Sequence, residues 1–257
     1  MSIANYSKFQ IYKNLIQSLP MPLDNEALIN DQFLLEKDEK KKLEIYYAPF
    51  EYVNVHAKVV IVGITPGLHQ MKKSYSTVLN VMDQRLSDEE VLHEVKKNSS
   101  FEGPMRKNLI HMLDELGLNN YLGLSSSSEL FDTASHLVQT MSVLPYPVFY
   151  NGKNYNGSTP NILKTEVLKR HILDYTAGEL NKLNDALIIP LGVNVSKVIE
   201  YLADQGFINK ESILIGFPHP SGGNGHRHKQ FATHKEDMQR KLKDYFDVQA
   251  RFTPATT

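Results

Sequence analysis

The stretch Lys58–Gly67, KVVIVGITPG, constrains this chain more than any other. Val59-Val60-Ile61-Val62 is a β-branched run closed by Gly63, the pattern of a strand buried on both faces. The next residues cannot prolong it. Pro66 has no amide hydrogen and a fixed φ, and Gly67 accepts φ > 0. The chain must turn, leaving Thr65 and nearby backbone beyond the carboxyl end of the sheet, where open α/β sheets bind ligands. A second loop of similar design, Phe217-Pro218-His219-Pro220-Ser221-Gly222-Gly223-Asn224, follows another apolar run, Ile213-Leu214-Ile215. The two loops are expected to face each other across one site.

The rest of the chain alternates helical and strand patterns. Helices are expected over 5–19, from Asp24, over 68–82, over 87–97 with a Ser87/Glu90 capping box, and from Pro104 to Leu116. Further helices are expected from Asn161 to about 182, over 193–204 and over 233–246. Besides 59–62, strands are expected near 134–141, 186–189 and 213–216. The pair Asn151-Gly152 signals a hairpin turn. Four short apolar strands among helices imply a parallel sheet covered by helices on both faces. The tyrosines of 43–57 are read as packing at the sheet edge.

At 257 residues one domain is expected, with residues 1–50 as an N-terminal helical extension packed on the core. The absence of cysteine excludes disulfides, thiolate zinc sites and cysteine-ligated iron–sulfur clusters. The first residues lack an apolar signal core and no run approaches ~18 apolar residues, so a cytoplasmic protein with no membrane partner is expected. A formal charge of −1 counts mildly against a nucleic-acid binder. The charge is unevenly placed, however: residues 219–235 hold Arg227, Lys229, Lys235 and four histidines with no acid. Local patches decide phosphate binding.

Gly63-Ile64-Thr65-Pro66-Gly67 resembles the first motif of the uracil-DNA glycosylase superfamily, in its mismatch-specific branch, and His219-Pro220-Ser221-Gly222-Gly223-Asn224 resembles the second. The two motifs stand ~155 residues apart in the family's order, and the likeness covers roughly residues 50–245. It implies a three-layer α/β/α sandwich around a central four-stranded parallel sheet, placed at 51–250. It also implies an enzyme that flips a nucleotide out of DNA and hydrolyses its N-glycosidic bond without metal or organic cofactor. By that likeness Thr65 and His219 are catalytic, His219 donating a hydrogen bond to the departing base. Ile64, Pro66, Gly67, Thr140, Ser142, Tyr150 and Asn151 are expected to contact the base. Arg106, Ser221, Gly222, Gly223, Asn224, His226 and Arg227 are expected to contact DNA, through close backbone approach to phosphate at the glycines and through the loop tip. DNA is the expected partner, and no obligate protein partner is evident.

Two departures from the family pattern stand out. Thr65 occupies a position where the family carries asparagine or aspartate to hold the attacking water. A threonine hydroxyl orients a water but cannot serve as a carboxylate base, so His69, Gln70, Asp83 and Asp132 are further candidates for that task. The segment Thr140–Pro145 lacks the family's base-reading asparagine, which puts uracil in doubt and leaves a modified or mismatched base open. The hairpin with Tyr150 and Asn151 offers a larger pocket, as in the anti-phage branch, the bacteriophage replication inhibition DNA glycosylases. That likeness implies removal of a glucosylated hydroxymethylcytosine. Two alternatives stand beside the glycosylase: a non-catalytic sensor of modified bases, and a metal-dependent hydrolase built on His226, His228 and His234.

Overall fold

The computed structural model describes residues 2–183 and 185–252. In chain order the elements are β1 (Ser2–Ile3), α1 (Phe9–Gln17), β2 (Leu34–Asp38), β3 (Leu43–Tyr46), β4 (Tyr52–Val53) and β5 (Val59–Gly63). Then come α2 (Leu68–Val81), α3 (Asp88–Ser99), α4 (Pro104–Leu116), α5 (Leu118–Tyr121), β6 (Val138–Ser142), β7 (Val148–Tyr150) and β8 (Lys153–Asn154). The last are α6 (Glu166–His171), α7 (Ala177–Leu180), β9 (Leu187–Pro190), α8 (Val193–Asp204) and α9 (Arg227–Phe252).

The apolar run Val59–Val62 lies in the middle strand of a parallel sheet of order β6-β5-β9. Val59 lies opposite Val138 on one side and Leu187 on the other. Because side chains alternate across a strand, Val60, Val62 and Ile188 enter one apolar core with residues of α2, α3, α6, α7 and α8. Val59, Ile61, Leu187 and Ile189 enter a second core with α4 and α9. Both faces are therefore dry, which is why the sequence shows an unbroken apolar run rather than alternation.

The fold is thus mixed α/β with several sheets, one of them parallel. The fourth parallel strand expected at 213–216 is reduced to a single bridge, Ile188 to Ile213. Leu214 N–H still bonds the Ile188 carbonyl at 2.8 Å. Ile215 is already exposed and Gly216 turns at φ 101°, so the ladder ends there. Two helix expectations also shift. The stretch from Asn161 is a turn before α6, which passes through a π-helical turn at Ile172–Thr176 into α7. The last helix begins at Arg227, directly after the second loop.

The described residues of 1–50, a segment expected as a helical extension, hold one helix and three strands. The helix expected from Asp24 is a turn, with Asp24 Oδ1 accepting Ala27 N–H. β2 and β3 join β7 and β8 in an antiparallel sheet, and β1 pairs with β4. Phe9, Ile16, Leu28 and Phe33 enter the first core, so this segment is part of one packed unit. Buried Glu51 ties it down by accepting from Ser7 Oγ (2.7 Å), Lys8 N–H (2.8 Å), Tyr47 OH (3.1 Å) and Tyr146 OH (2.5 Å). Tyr46, Tyr47 and Tyr52 are buried, as expected. No described helix is long and apolar enough to cross a membrane.

Candidate functional site

The loop after β5 is held by its threonine. Thr65 Oγ1 donates to the Tyr146 carbonyl at 2.8 Å and accepts Val148 N–H at 3.1 Å. The hydroxyl expected to position a water therefore first locks the loop to the segment leaving β6. One acceptor lone pair remains. At the start of α2, Leu68 N–H bonds Asn154 Oδ1 at 2.9 Å, so the β7–β8 hairpin docks on that helix end. A Cβ on Gly67 would come within 3.3 Å of the Asn154 amide.

The second loop presents His219. Its Nδ1 lies 3.0 Å from Ser221 Oγ and 3.4 Å from Ser221 N–H. A backbone N–H can only donate, so Nδ1 is the acceptor and the neutral ring carries its proton on Nε2. Burial pushes the His219 pKa below 6.5, which keeps the ring neutral near pH 7. Asn224 Nδ2 donates to the His219 carbonyl at 3.1 Å, and Asn108 Nδ2 to the Pro220 carbonyl at 2.8 Å. Behind the imidazole lies Gly192, at φ 90°, where an added Cβ would meet His219 Cβ at 3.0 Å. That close approach explains the glycine that ends Pro190-Leu191-Gly192.

Between the two loops lies a cavity of about 550 Å³. Ile64, Thr65, Pro66 and Gly67 line one side, and His219, Ser221, Gly223 and Asn224 the other. Thr140 and Ser142, at the carboxyl end of β6 on the side of β5 away from β9, line the cavity as well. Exposed Asn154, Asn156 and Val193 mark the rim, and buried Thr140, Lys96 and Glu179 the inner end.

Other expected residues stand elsewhere. Tyr150 and Asn151 are not in the lining; Asn154, Tyr155 and Asn156 of the same hairpin region take that place. Arg106 is turned inward: its guanidinium donates to the carbonyls of Ser100 and Lys97 and lies over Phe131. Gly222, His226 and Arg227 lie outside the lining, and Arg227 donates to the Asn224 carbonyl. Lys235 pairs with Glu115 at 2.7 Å, which leaves Lys107 and Lys229 as exposed cations of that region. Of the candidates to hold water, Gln70 lines the cavity with Oε1 taken by Gly67 N–H. His69 pairs with Glu102 outside it, and Asp83 and Asp132 are exposed. Among the described residues no three His, Cys, Asp or Glu side chains are placed to hold a metal, and His226, His228 and His234 are each exposed.

Sequence reading missed four polar groups at or behind the inner end. Lys96 Nζ donates to the Thr140 carbonyl at 2.6 Å. Glu179 accepts from Tyr6 OH and from Gln139 Nε2, each at 2.8 Å. Lys96 and Glu179 sit beside buried apolar residues of their helices, Val95 and Leu180. A polar residue among apolar ones was the only local signal. Tyr6 comes from the segment that the sequence left without a role.

Over 245 residues, 95% of this chain and 95% of the relative, the sequence is 39% identical to a protein of Bacillus subtilis (strain 168) described as uncharacterized protein YoxB. No protein-family model matches the chain. No solved structure matches it.

Proposed function

This chain belongs to the same family as YoxB, and we propose that it is a monofunctional DNA glycosylase of the uracil-DNA glycosylase type, acting on a modified or mismatched base. One observation carries this: the loops Ile64–Gly67 and His219–Asn224 line a single cavity at the carboxyl ends of parallel strands, with His219 Nε2–H free of any protein acceptor among the described residues. Helices covering both faces of the sheet support a three-layer α/β/α arrangement, with Ile213–Leu214 standing where a fourth strand would run.

A base within a duplex is out of reach, so it is extruded into the cavity at a cost of a few kcal/mol. Breaking the N-glycosidic bond leaves an oxocarbenium-like sugar and an anionic base. The preorganised His219 donor stabilises that anion, and its burial strengthens the interaction without any need for imidazolium. The remaining lone pair on Thr65 Oγ1 orients a water but does not deprotonate it. Orientation suffices for a cation-like sugar, which needs a placed nucleophile more than a strong base. A cavity of ~150 Å³ accepts a benzene ring, so about 550 Å³ leaves room for a substituent larger than the ring itself.

The test is mass spectrometry of bases released from DNAs containing uracil, mismatched thymine, hydroxymethylcytosine or its glucosylated form. Alkali-labile breaks report the abasic site. His219→Ala is expected to lower turnover ~10²–10³-fold with binding retained; near-normal turnover would displace His219 from this role. The engaged hydroxyl of Thr65 favours one competing reading, a sensor that grips an altered base without cleaving it. Tight binding with no breaks on any substrate would select the sensor.

A further inference from the structure

The inner end of the cavity holds a cation that the chemistry above does not use. Lys96, on α3, is 7% exposed, beside fully buried Leu92 and Val95. An ammonium carries three N–H donors. The bond to the Thr140 carbonyl uses one, and no other acceptor for Lys96 occurs among the described residues. Unfilled donors on a side chain this buried are costly unless something that enters the cavity meets them. An apolar residue at this position would avoid that cost, so packing does not account for the lysine. Glu179, from α7, lines the same cavity, and each carboxyl oxygen receives one protein donor and keeps a further lone pair.

We propose that Lys96 is a specificity-determining residue: with Glu179 it reads the inner edge of the bound base, Lys96 donating to an oxo group or ring nitrogen and Glu179 accepting from the adjoining N–H or amino group. This rests on the glycosylase reading, since it takes a nucleobase as the ligand. A base edge sets acceptors beside donors, and an amide side chain can match such a pair alone. Thr140–Pro145 carries no amide, and the Thr140 and Ser100 hydroxyls bond each other at 2.7 Å. The pair from α3 and α7 supplies the same donor and acceptor as separate groups, through charge-assisted bonds that exceed neutral ones in strength.

The electrostatics agree with this placement. Burial pushes the Lys96 pKa down to about 8, against the pull of Glu179 and Glu51. His93 and Lys97, on the same helix, lie with Lys96 around a small adjoining pocket. Lys96 is therefore charged at neutral pH and loses its proton in mildly alkaline solution.

The experiment uses the full chain. Titration calorimetry measures cytosine, 5-hydroxymethylcytosine and uracil binding to wild type, Lys96→Met and Glu179→Gln, with melting temperatures and base-release kcat/KM measured alongside. Expected are binding of at least one base by wild type, weakening of about tenfold or more in each variant, and no lowering of the Lys96→Met melting temperature. Wild-type affinity should fall above about pH 8, an alkaline limb that is absent in Lys96→Met. Equal affinity in wild type and Lys96→Met, or no binding of any base by wild type, overturns the proposal. So does a weakening that tracks lost melting temperature with the alkaline limb unchanged, which marks a structural role. Should Lys96→Met fail to fold, Glu179→Gln and the wild-type pH profile decide. Lys96-dependent base binding without release from any DNA would overturn the glycosylase reading and leave the base-reading pair standing.

Discussion

His93, His171 and His219 each have a pKa pushed below 6.5, in every case chiefly by burial. A depressed pKa means that the folded state resists the proton. Their stabilisation is therefore complete above about pH 6.5 and is lost as pH falls through the folded values. Glu51 acts in the opposite sense: burial raises its pKa above 4.5, so its contribution is lost as pH rises through the folded value and regained as pH falls toward 4.5. In wild type the two trends partly offset each other. In Glu51→Gln the histidines act alone, and the melting temperature is expected to drop more steeply between about pH 7 and pH 5 than in wild type. A variant whose melting temperature stayed flat over that range would contradict the burial of these rings. His219 was recognisable because its flanking prolines and glycines mark an unusual loop. Lys96 and Glu179 were not, since a single charge on an apolar helix face usually signals a solvated edge.

At the scale of elements, the exit of β9 into α8 fixes the His219 loop from behind. Gly192 sits at φ 90°, and its N–H bonds the Phe217 carbonyl at 2.9 Å. Gly192→Ala places a Cβ 3.0 Å from His219 Cβ and 3.3 Å from its backbone nitrogen, in a conformation that side chains rarely adopt. Urea denaturation should show a loss of about 1–3 kcal/mol. Turnover should fall further than that loss explains, because the histidine itself must move. An alanine variant with unaltered stability and rate would mean that this strand exit does not position the loop. Most elements were legible locally: β5, α2, α3, α4 and α8 from their apolar patterns, and the β7–β8 hairpin from its Asn151-Gly152 turn. Those misread are the ones whose form depends on partners. Ile213–Ile215 has strand composition but turns away at Gly216, and β2 and β3 need β7 to complete their ladder.

Across the whole molecule, the formal charge of −1 offers no long-range attraction for a polyanion. On the proposed glycosylase reading, DNA binding would draw on backbone amides of the second loop and on local cations such as exposed Lys107 and Lys229. Each phosphate contact releases counterions, so affinity is expected to fall with salt at a slope of roughly −0.9 per contact on a log–log plot. Fluorescence anisotropy at several salt concentrations gives that slope. A value near zero would remove phosphate contact from the account of this loop.

The sequence alone determined the parallel strand β5, the two turns that follow apolar runs, and most helices, because each rests on residues near one another in the chain. Tertiary structure decided what the cavity is made of. Tyr6 meets Glu179 across 173 residues and Lys96 meets Thr140 across 44. Such contacts leave no period or spacing in the sequence, since burial and hydrogen-bond partners arise only when distant segments pack. For the same reason Thr65 could be recognised by its loop, while the engagement of its hydroxyl by Tyr146 and Val148 could not.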